Sequence, residues 1–242
     1  ETSTTEITSL MFVGLTTVDG VTGEVEPQLA ESWTTSQGGR VWEFTLREGL
    51  TWSDGEPLTA EDVVFTYRDL HLNPDVYSSS RFSLMVDGKP PEVEALSPRK
   101  VRFTYPKPFA PFARQASLGI MPEHVLRPIL EDGEFNSAWG VGTDTGAFVV
   151  NGPFKLHEYM TGQRVIMGAN PNFYETAENG ESLPRLDRVV FEIVKSREVA
   201  LQRFMKGQID QLMIQGKDYP VLKPRTEELN FTLHRVGPTL GT

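Results

Sequence analysis

Cysteine is absent from all 242 residues, which removes disulfides, thiolate nucleophiles and cysteine-based metal sites together. No stretch approaches the roughly 18 apolar residues that a membrane-spanning helix needs. Basic residues are in the minority, 23 Lys and Arg against 33 Asp and Glu, for a formal charge of −10. That balance disfavours nucleic acid and anionic membranes, whose phosphates need a basic face. The enzyme signatures are missing too. There is no Gly-x-Ser-x-Gly elbow and no GxxxxGK[ST] phosphate loop, and Gly140-Val141-Gly142 lacks both a following helix and the third glycine of a dinucleotide site. The four histidines, His71, His124, His157 and His234, form no HxH, HExxH or HxxxH pair, so neither metal nor cofactor is expected.

What is present is a well-punctuated globular pattern. Seventeen prolines and 21 glycines are spread along the chain and mark many short elements. Trp42, Phe44 and Leu46 alternate with polar residues as one face of a strand, and the preceding Ser36-Gln37-Gly38-Gly39 turn joins it to Ser32-Trp33 in a hairpin. Asp54-Gly55 supplies a tight turn. Thr59 then reads as an N-cap, with Glu61 and Asp62 in the first turn of a helix to Leu70. Paired strands are expected over 93–96 and 101–105, a helix over 123–130, and a hairpin over 154–159 and 164–169. A strand follows at 188–194, then a Ser196-capped helix closed by Gly207, and last strands at 209–214 and 231–236. Ile7 to Val18 is an apolar run leading to a first strand. Mixed α/β (α+β) architecture follows, with crossings near 29–33 and 140–152.

Abundant carboxylates leave one enzymatic alternative, a carbohydrate-active hydrolase with two acids across a cleft, and Trp52 beside Asp54 could serve it. Turn chemistry explains those two residues more simply.

The run Leu29-Ala30-Glu31-Ser32-Trp33, then Trp42 through Val63 with Trp52-Ser53-Asp54-Gly55 and Leu58-Thr59-Ala60-Glu61-Asp62-Val63, resembles the signature of the peptide/nickel-type (family 5) extracellular solute-binding proteins. Tyr105-Pro106-Lys107-Pro108-Phe109, Met121-Pro122-Glu123-His124-Val125, Asn151-Gly152-Pro153-Phe154, Asn170-Pro171-Asn172-Phe173-Tyr174 and Gly207-Gln208-Ile209-Asp210 follow in the family's order. One such motif is weak; the ordered series is specific.

The resemblance implies a periplasmic-binding-protein type II-like fold in which two lobes close on a solute. Members run to roughly twice this length, past the usual single-domain ceiling. This chain would then be the first lobe: subdomain Ia from 1–32 and 147–242, subdomain Ib from 33–146, with the second lobe of the same polypeptide absent. It implies no enzyme activity, but a receptor that binds oligopeptides or dipeptides and delivers them to the permease subunits of an ABC importer. The receptor would be extracytoplasmic, in the periplasm or on the cell surface as a lipoprotein, and monomeric at full length. A nickel chelate, heme, an opine or an oligosaccharide on the same scaffold are the alternative solutes. By position in the family, the ligand-binding candidates are Thr5 and Glu6 entering the first strand, Tyr77 after the first helix, Ile214 and Gln215 after Asp210, and Thr239 in the hinge.

Overall fold

Ile7, Leu10 and Met11 recur at helical spacing, and they seat the first element, α1 (Thr2–Met11), against Phe154, Val165 and Met167. The computed structural model describes residues 2–140 and 142–234. After α1 a short ribbon of β1 (Thr16–Val18) and β2 (Val25–Pro27) turns back on itself. Next come β3 (Ala30–Ser36) and β4 (Val41–Leu46), joined by a turn in which Gln37 and Gly38 both take positive φ, 51° and 68°. Gly39 adds a third at 89°, and glycine takes that conformation at no steric cost. With β5 (Glu92–Ser97) and β6 (Lys100–Thr104) they form an antiparallel sheet in the order β3-β4-β6-β5.

The inner face of that sheet carries the largest core. Phe44, Leu46, Val101 and Phe103 are fully enclosed, and Phe112 closes edge-on against Phe44 and tilted against Phe103, at 5.8 and 4.6 Å between ring centroids. Each buried phenylalanine contributes about 2–3 kcal/mol of transfer free energy before the entropy of ordering it is counted. Over this core lies the capped helix, α2 (Ala60–Val64), which continues as a wide π turn over Phe65–His71. Every residue from Asp62 to Tyr67 is buried, because the helix is covered on both sides. Val63, Val64 and Tyr67 face the sheet core, whereas Phe65 and Leu70 meet Leu126 of α4 (Glu123–Glu131). Before α4, the single-turn α3 (Phe112–Gln115) delivers Phe112 to the core.

A second antiparallel sheet, β7 (Phe154–Met160), β8 (Arg164–Ala169) and β9 (Arg188–Glu192), packs on α1. Beyond it run α5 (Arg197–Met205), capped by Ser196 and ended at Gly207 with φ 66°, and the one-turn α6 (Tyr219–Leu222). Packing thins along this stretch. After Asn170, Asp218 and Leu222 are the only buried residues among those described.

Three expectations change. Thr5 and Glu6 do not enter a strand: they sit in α1, and the first strand starts at Thr16, because the 3.6-residue spacing of Ile7, Leu10 and Met11 outweighs the β-branched threonines around them. The segment 209–214 is not a strand. Its alternation is real, but no neighbouring strand hydrogen-bonds to it among the described residues, and Met213 is 64% exposed. Residues 231–234 likewise form no strand, and 235–236 lie outside the described residues.

Gly152 marks the tightest passage. A Cβ there would strike the Leu10 carbonyl oxygen and come within 2.7 Å of the Met11 carbonyl carbon, both rigid backbone at the end of α1. Gly152→Ala is expected to cost about 2 kcal/mol or more, read as a lowered urea midpoint at unchanged slope.

Candidate functional site

The motif residues converge on backbone. Asn151 accepts the Val13 N–H on Oδ1 at 2.9 Å and donates its Nδ2 to the Val13 carbonyl at 3.2 Å, so one side chain imitates a strand partner. Beside it the Gly152 N–H donates to the Met11 carbonyl at 2.8 Å, and Asn170 Nδ2 donates to the Gly152 carbonyl at 2.9 Å. Asn172 Nδ2 reaches the Trp52 and Ser53 carbonyls at 3.1 and 3.3 Å. Ser53 and Val150 exchange two more bonds, Ser53 N–H to the Val150 carbonyl and Val150 N–H to Ser53 Oγ. The end of α1, the 52–57 turn, the crossing at 150–152 and the loop at 170–172 are thereby fixed to one another.

The acids of the signature are spent on helix ends and turns. Asp62 accepts the Thr59 N–H on Oδ2 at 2.8 Å, completing a capping box, and the Glu123 N–H on Oδ1 at 3.0 Å, capping α4 as well. Burial pushes its carboxyl pKa up, while the two N–H bonds pull against that shift. The buried Trp52 indole N–H turns toward the same carboxylate without closing a full hydrogen bond. Asp54 accepts the Glu56 N–H on Oδ1 at 3.1 Å and holds His124 Nε2 on Oδ2 at 2.8 Å. Asp62 and His124 line an open depression of about 430 Å³ together with Glu56, Thr59, Glu123 and Arg127. All four oxygens of Asp54 and Asp62 are engaged in holding structure, so the turn reading of Asp54 stands and the pair is not arranged as acid and base across a bond. Among the described residues no group of three or more His, Asp or Glu side chains is placed to hold a metal ion.

One loop is different. Residues 73–84 follow the π turn and are pinned from beneath by Arg81, whose guanidinium donates to the carbonyls of His71, Asn73 and Val76. Asn136 holds the Tyr77 N–H at 2.9 Å and gives its own Nδ2 to the Asp75 carbonyl at 3.1 Å. Fixed in this way, the loop presents Tyr77 and Phe82 to solvent, 87% and 82% exposed. Tyr77 was among the sequence candidates. Phe82 was not, although an aromatic beside Arg81 in a serine-rich loop was the available signal. The remaining candidates lie on other elements. Thr5 and Glu6 are exposed on α1; Ile214 is half-buried and Gln215 exposed ahead of α6, where the Gln215 N–H donates to Asp218. Thr239 lies outside the described residues.

Antiparallel sheets of this order with helices packed over them make a mixed α/β fold, and its structural neighbours are type II periplasmic-binding proteins. The 2.2 Å crystal structure of the ABC transporter substrate-binding protein CtaP from Listeria monocytogenes superposes with a TM-score of 0.74 at 28% identity, over 93% of this chain and 42% of that one. The oligopeptide-binding protein AppA of Bacillus subtilis, solved with a nonapeptide, gives 0.75 at 26% identity over 91% and 41%. In sequence, a probable ABC transporter-binding protein of Deinococcus radiodurans is 30% identical over 205 residues, 82% of this chain and 34% of that protein. Residues 24–238 match the description "Bacterial extracellular solute-binding proteins, family 5 Middle", and the chain belongs to that family. It spans between a third and a half of the length of these relatives.

Two outcomes test this scaffold. Asp62→Ala removes a cap from each of two helices and is expected to cost about 2–4 kcal/mol, with Asp62→Asn, which keeps one acceptor oxygen, losing about half as much; urea unfolding measures both. His71 reports on the pinned loop. Its Nδ1 lies 2.8 Å from Ser78 Oγ, and burial lowers its pKa to about 4. An unfolded imidazole titrates near pH 6.5, so between about pH 4 and 6.5 the unfolded chain binds a proton that the folded chain refuses. The neutral His71 therefore contributes full stability above about pH 6.5, and about 3 kcal/mol is lost as pH falls to about 4. His71→Gln is expected to flatten that difference when unfolding midpoints of the two proteins are compared across the interval.

Proposed function

We propose that this chain forms one wall of a solute-binding cleft in an extracytoplasmic receptor that hands oligopeptides to the permease of an ABC importer. The observation that carries the reading is the family match over residues 24–238, with AppA, the oligopeptide-binding relative, 30% identical over 90% of this chain. The geometry supports it in two ways. The polar motif residues are consumed in rigidifying the scaffold, which leaves no catalytic pair among them. The pinned 73–84 loop offers two aromatic faces at fixed positions, suited to apolar side chains of a bound peptide at low ordering cost. Tyr77 and Phe82 are the central contacts of this proposal, with Thr5, Glu6, Ile214, Gln215 and Thr239 as further cleft positions. The division into 1–32 with 147–242 and an inserted 33–146 belongs to the same proposal, as does closure against a second lobe.

A single wall makes part of the contacts, so the chain by itself is expected to bind a random oligopeptide pool weakly, with a dissociation constant on the order of 1 mM. Amide NMR of the isotopically labelled chain should place the perturbations on the 73–84 loop and α1, and Tyr77→Ala with Phe82→Ala should weaken them at least roughly threefold. Absence of any perturbation at saturating peptide, or perturbations confined to the depression around Glu56 and His124, would overturn the reading.

A further inference from the structure

The sequence holds two Asn-Gly pairs, Asn151-Gly152 and Asn179-Gly180, and they share one latent reaction. The backbone nitrogen of such a glycine can attack the Cγ of the asparagine before it, because glycine has no side chain to crowd the approach. The other asparagines are poorly suited. Asn73 and Asn170 precede proline, whose nitrogen has no proton to lose. Asn136, Asn172 and Asn230 precede Ser137, Phe173 and Phe231, whose side chains hinder the attack. Folding then separates the two remaining pairs.

Asn151-Gly152 is locked. Asn151 is buried with both ends of its amide on Val13, and the Gly152 N–H is held by the carbonyl of Met11 in the second core. Attack there would break all three bonds away from water. Asn179-Gly180 instead forms an exposed tight turn, closed by the Gly180 N–H to the Ala177 carbonyl and the Ala177 N–H to the Glu181 carbonyl, both at 2.8 Å. Gly180 takes φ 82°, and a Cβ there would meet nothing within 4 Å. To react, the Gly180 N–H must leave the Ala177 carbonyl, a bond that water replaces at little net cost. A second contact favours the attack. The Glu181 N–H donates to Asn179 Oδ1 at 3.2 Å, on the oxygen that gains negative charge as the nitrogen adds to Cγ. Both reacting atoms belong to adjacent residues, so the chemistry is a property of the turn itself.

We propose that Asn179 is a site of spontaneous modification, where this turn converts asparagine to aspartate and isoaspartate through a cyclic imide. The Gly180 nitrogen gives its proton to a solvent base and bonds to Asn179 Cγ. The tetrahedral adduct takes up a proton and expels the side-chain nitrogen as ammonia, leaving a succinimide ring. Water then adds to either imide carbonyl and breaks that carbon–nitrogen bond. Opening on the side-chain carbonyl leaves aspartate; opening on the backbone carbonyl leaves an isoaspartyl linkage that runs through the side chain. A water is consumed for each ammonia released, and no oxidant or reductant takes part. The product sets a new carboxylate between Glu178 and Glu181 and takes the formal charge one step below −10. Like charges so close in one turn repel.

Ageing the folded chain in mildly alkaline buffer should build up a more acidic species on ion exchange, with ammonia released in step. Peptide mapping after ageing in water enriched in heavy oxygen should place both the label and the isoaspartyl linkage at position 179. The same ageing in urea supplies the comparison. Folded, Asn179 should react within roughly threefold of its unfolded rate, whereas Asn151 should fall at least roughly a hundredfold below its own. Asn179→Gln, which would have to close a larger ring, should abolish the acidic species, and circular-dichroism melting confirms that the variant remains folded. A folded chain that keeps Asn179 intact while the urea sample converts overturns the proposal. So does conversion of Asn151 in the folded chain as fast as Asn179. An acidic species that persists in Asn179→Gln overturns it as well.

Discussion

The amide of Asn151 is the constraint on which the rest of this structure depends. It gives both an acceptor and a donor to the backbone of Val13, a residue far away in sequence and fully enclosed by the main core. A buried peptide N–H left unpaired costs about 1–3 kcal/mol, and while the Val13 carbonyl also accepts the Ile120 N–H at 3.0 Å, the Val13 N–H is held by Asn151. Once it is seated, Gly152 must press its backbone against Met11, which excludes any Cβ, and the second sheet begins at Phe154 directly under α1. Two cores that share no strand are thus tied at a point where only small and amide side chains fit.

This arrangement explains what an ordered series of polar motif residues can do when the side chains are spent on the scaffold itself. Asp54, Asp62, Asn151, Asn170 and Asn172 are the polar residues an enzymologist would pick first. Each is aimed at a backbone N–H or carbonyl, or at a histidine that anchors α4. Asp62 is the clearest case, because one carboxylate caps two helices and so fixes the angle between them. A receptor needs such rigidity. Contacts to a solute are worth most when the surface presenting them does not have to be ordered first.

Legibility in the sequence followed the range of the interaction. Thr59 and Ser196 were readable as caps because the capped N–H lies within three residues. The hairpins were readable because turn and strands are contiguous, as at Gln37-Gly38. The helix over 59–70 was readable from its spacing, although its π turn over Phe65–His71 was not. α1 was misjudged because the apolar run from Ile7 was carried straight into a strand, with Thr5 and Glu6 placed by family position, and the deciding partner, the β7–β8 surface, lies more than a hundred residues away. Residues 209–214 show the reverse failure: a strand pattern without an edge to pair with stays irregular. As for the candidate site, Tyr77 came from family position alone. That it is displayed by a loop held on three carbonyls by Arg81 is tertiary information.

Burial falls steadily from the first sheet to the last helix, and that gradient bears on function more directly than any single motif. The first core has rings in edge-to-face contact with no exposed surface, whereas α5 buries no residue completely and β9 buries none. Ion pairs such as Arg197 with Asp218 and Arg203 with Glu192 take over where apolar packing gives out. The Arg203–Glu192 pair is exposed and contributes at most about 1 kcal/mol, and Asp218 is one of only two buried residues described along this stretch, so this end of the molecule is held far more loosely than the first core. Stability is therefore concentrated where the motif residues join the elements, and adaptability where Val190, Ile193, Met213 and Tyr219 remain uncovered. The first core thus holds the geometry of the motif residues, while the later elements keep their shape through turns, caps and ion pairs more than through apolar packing.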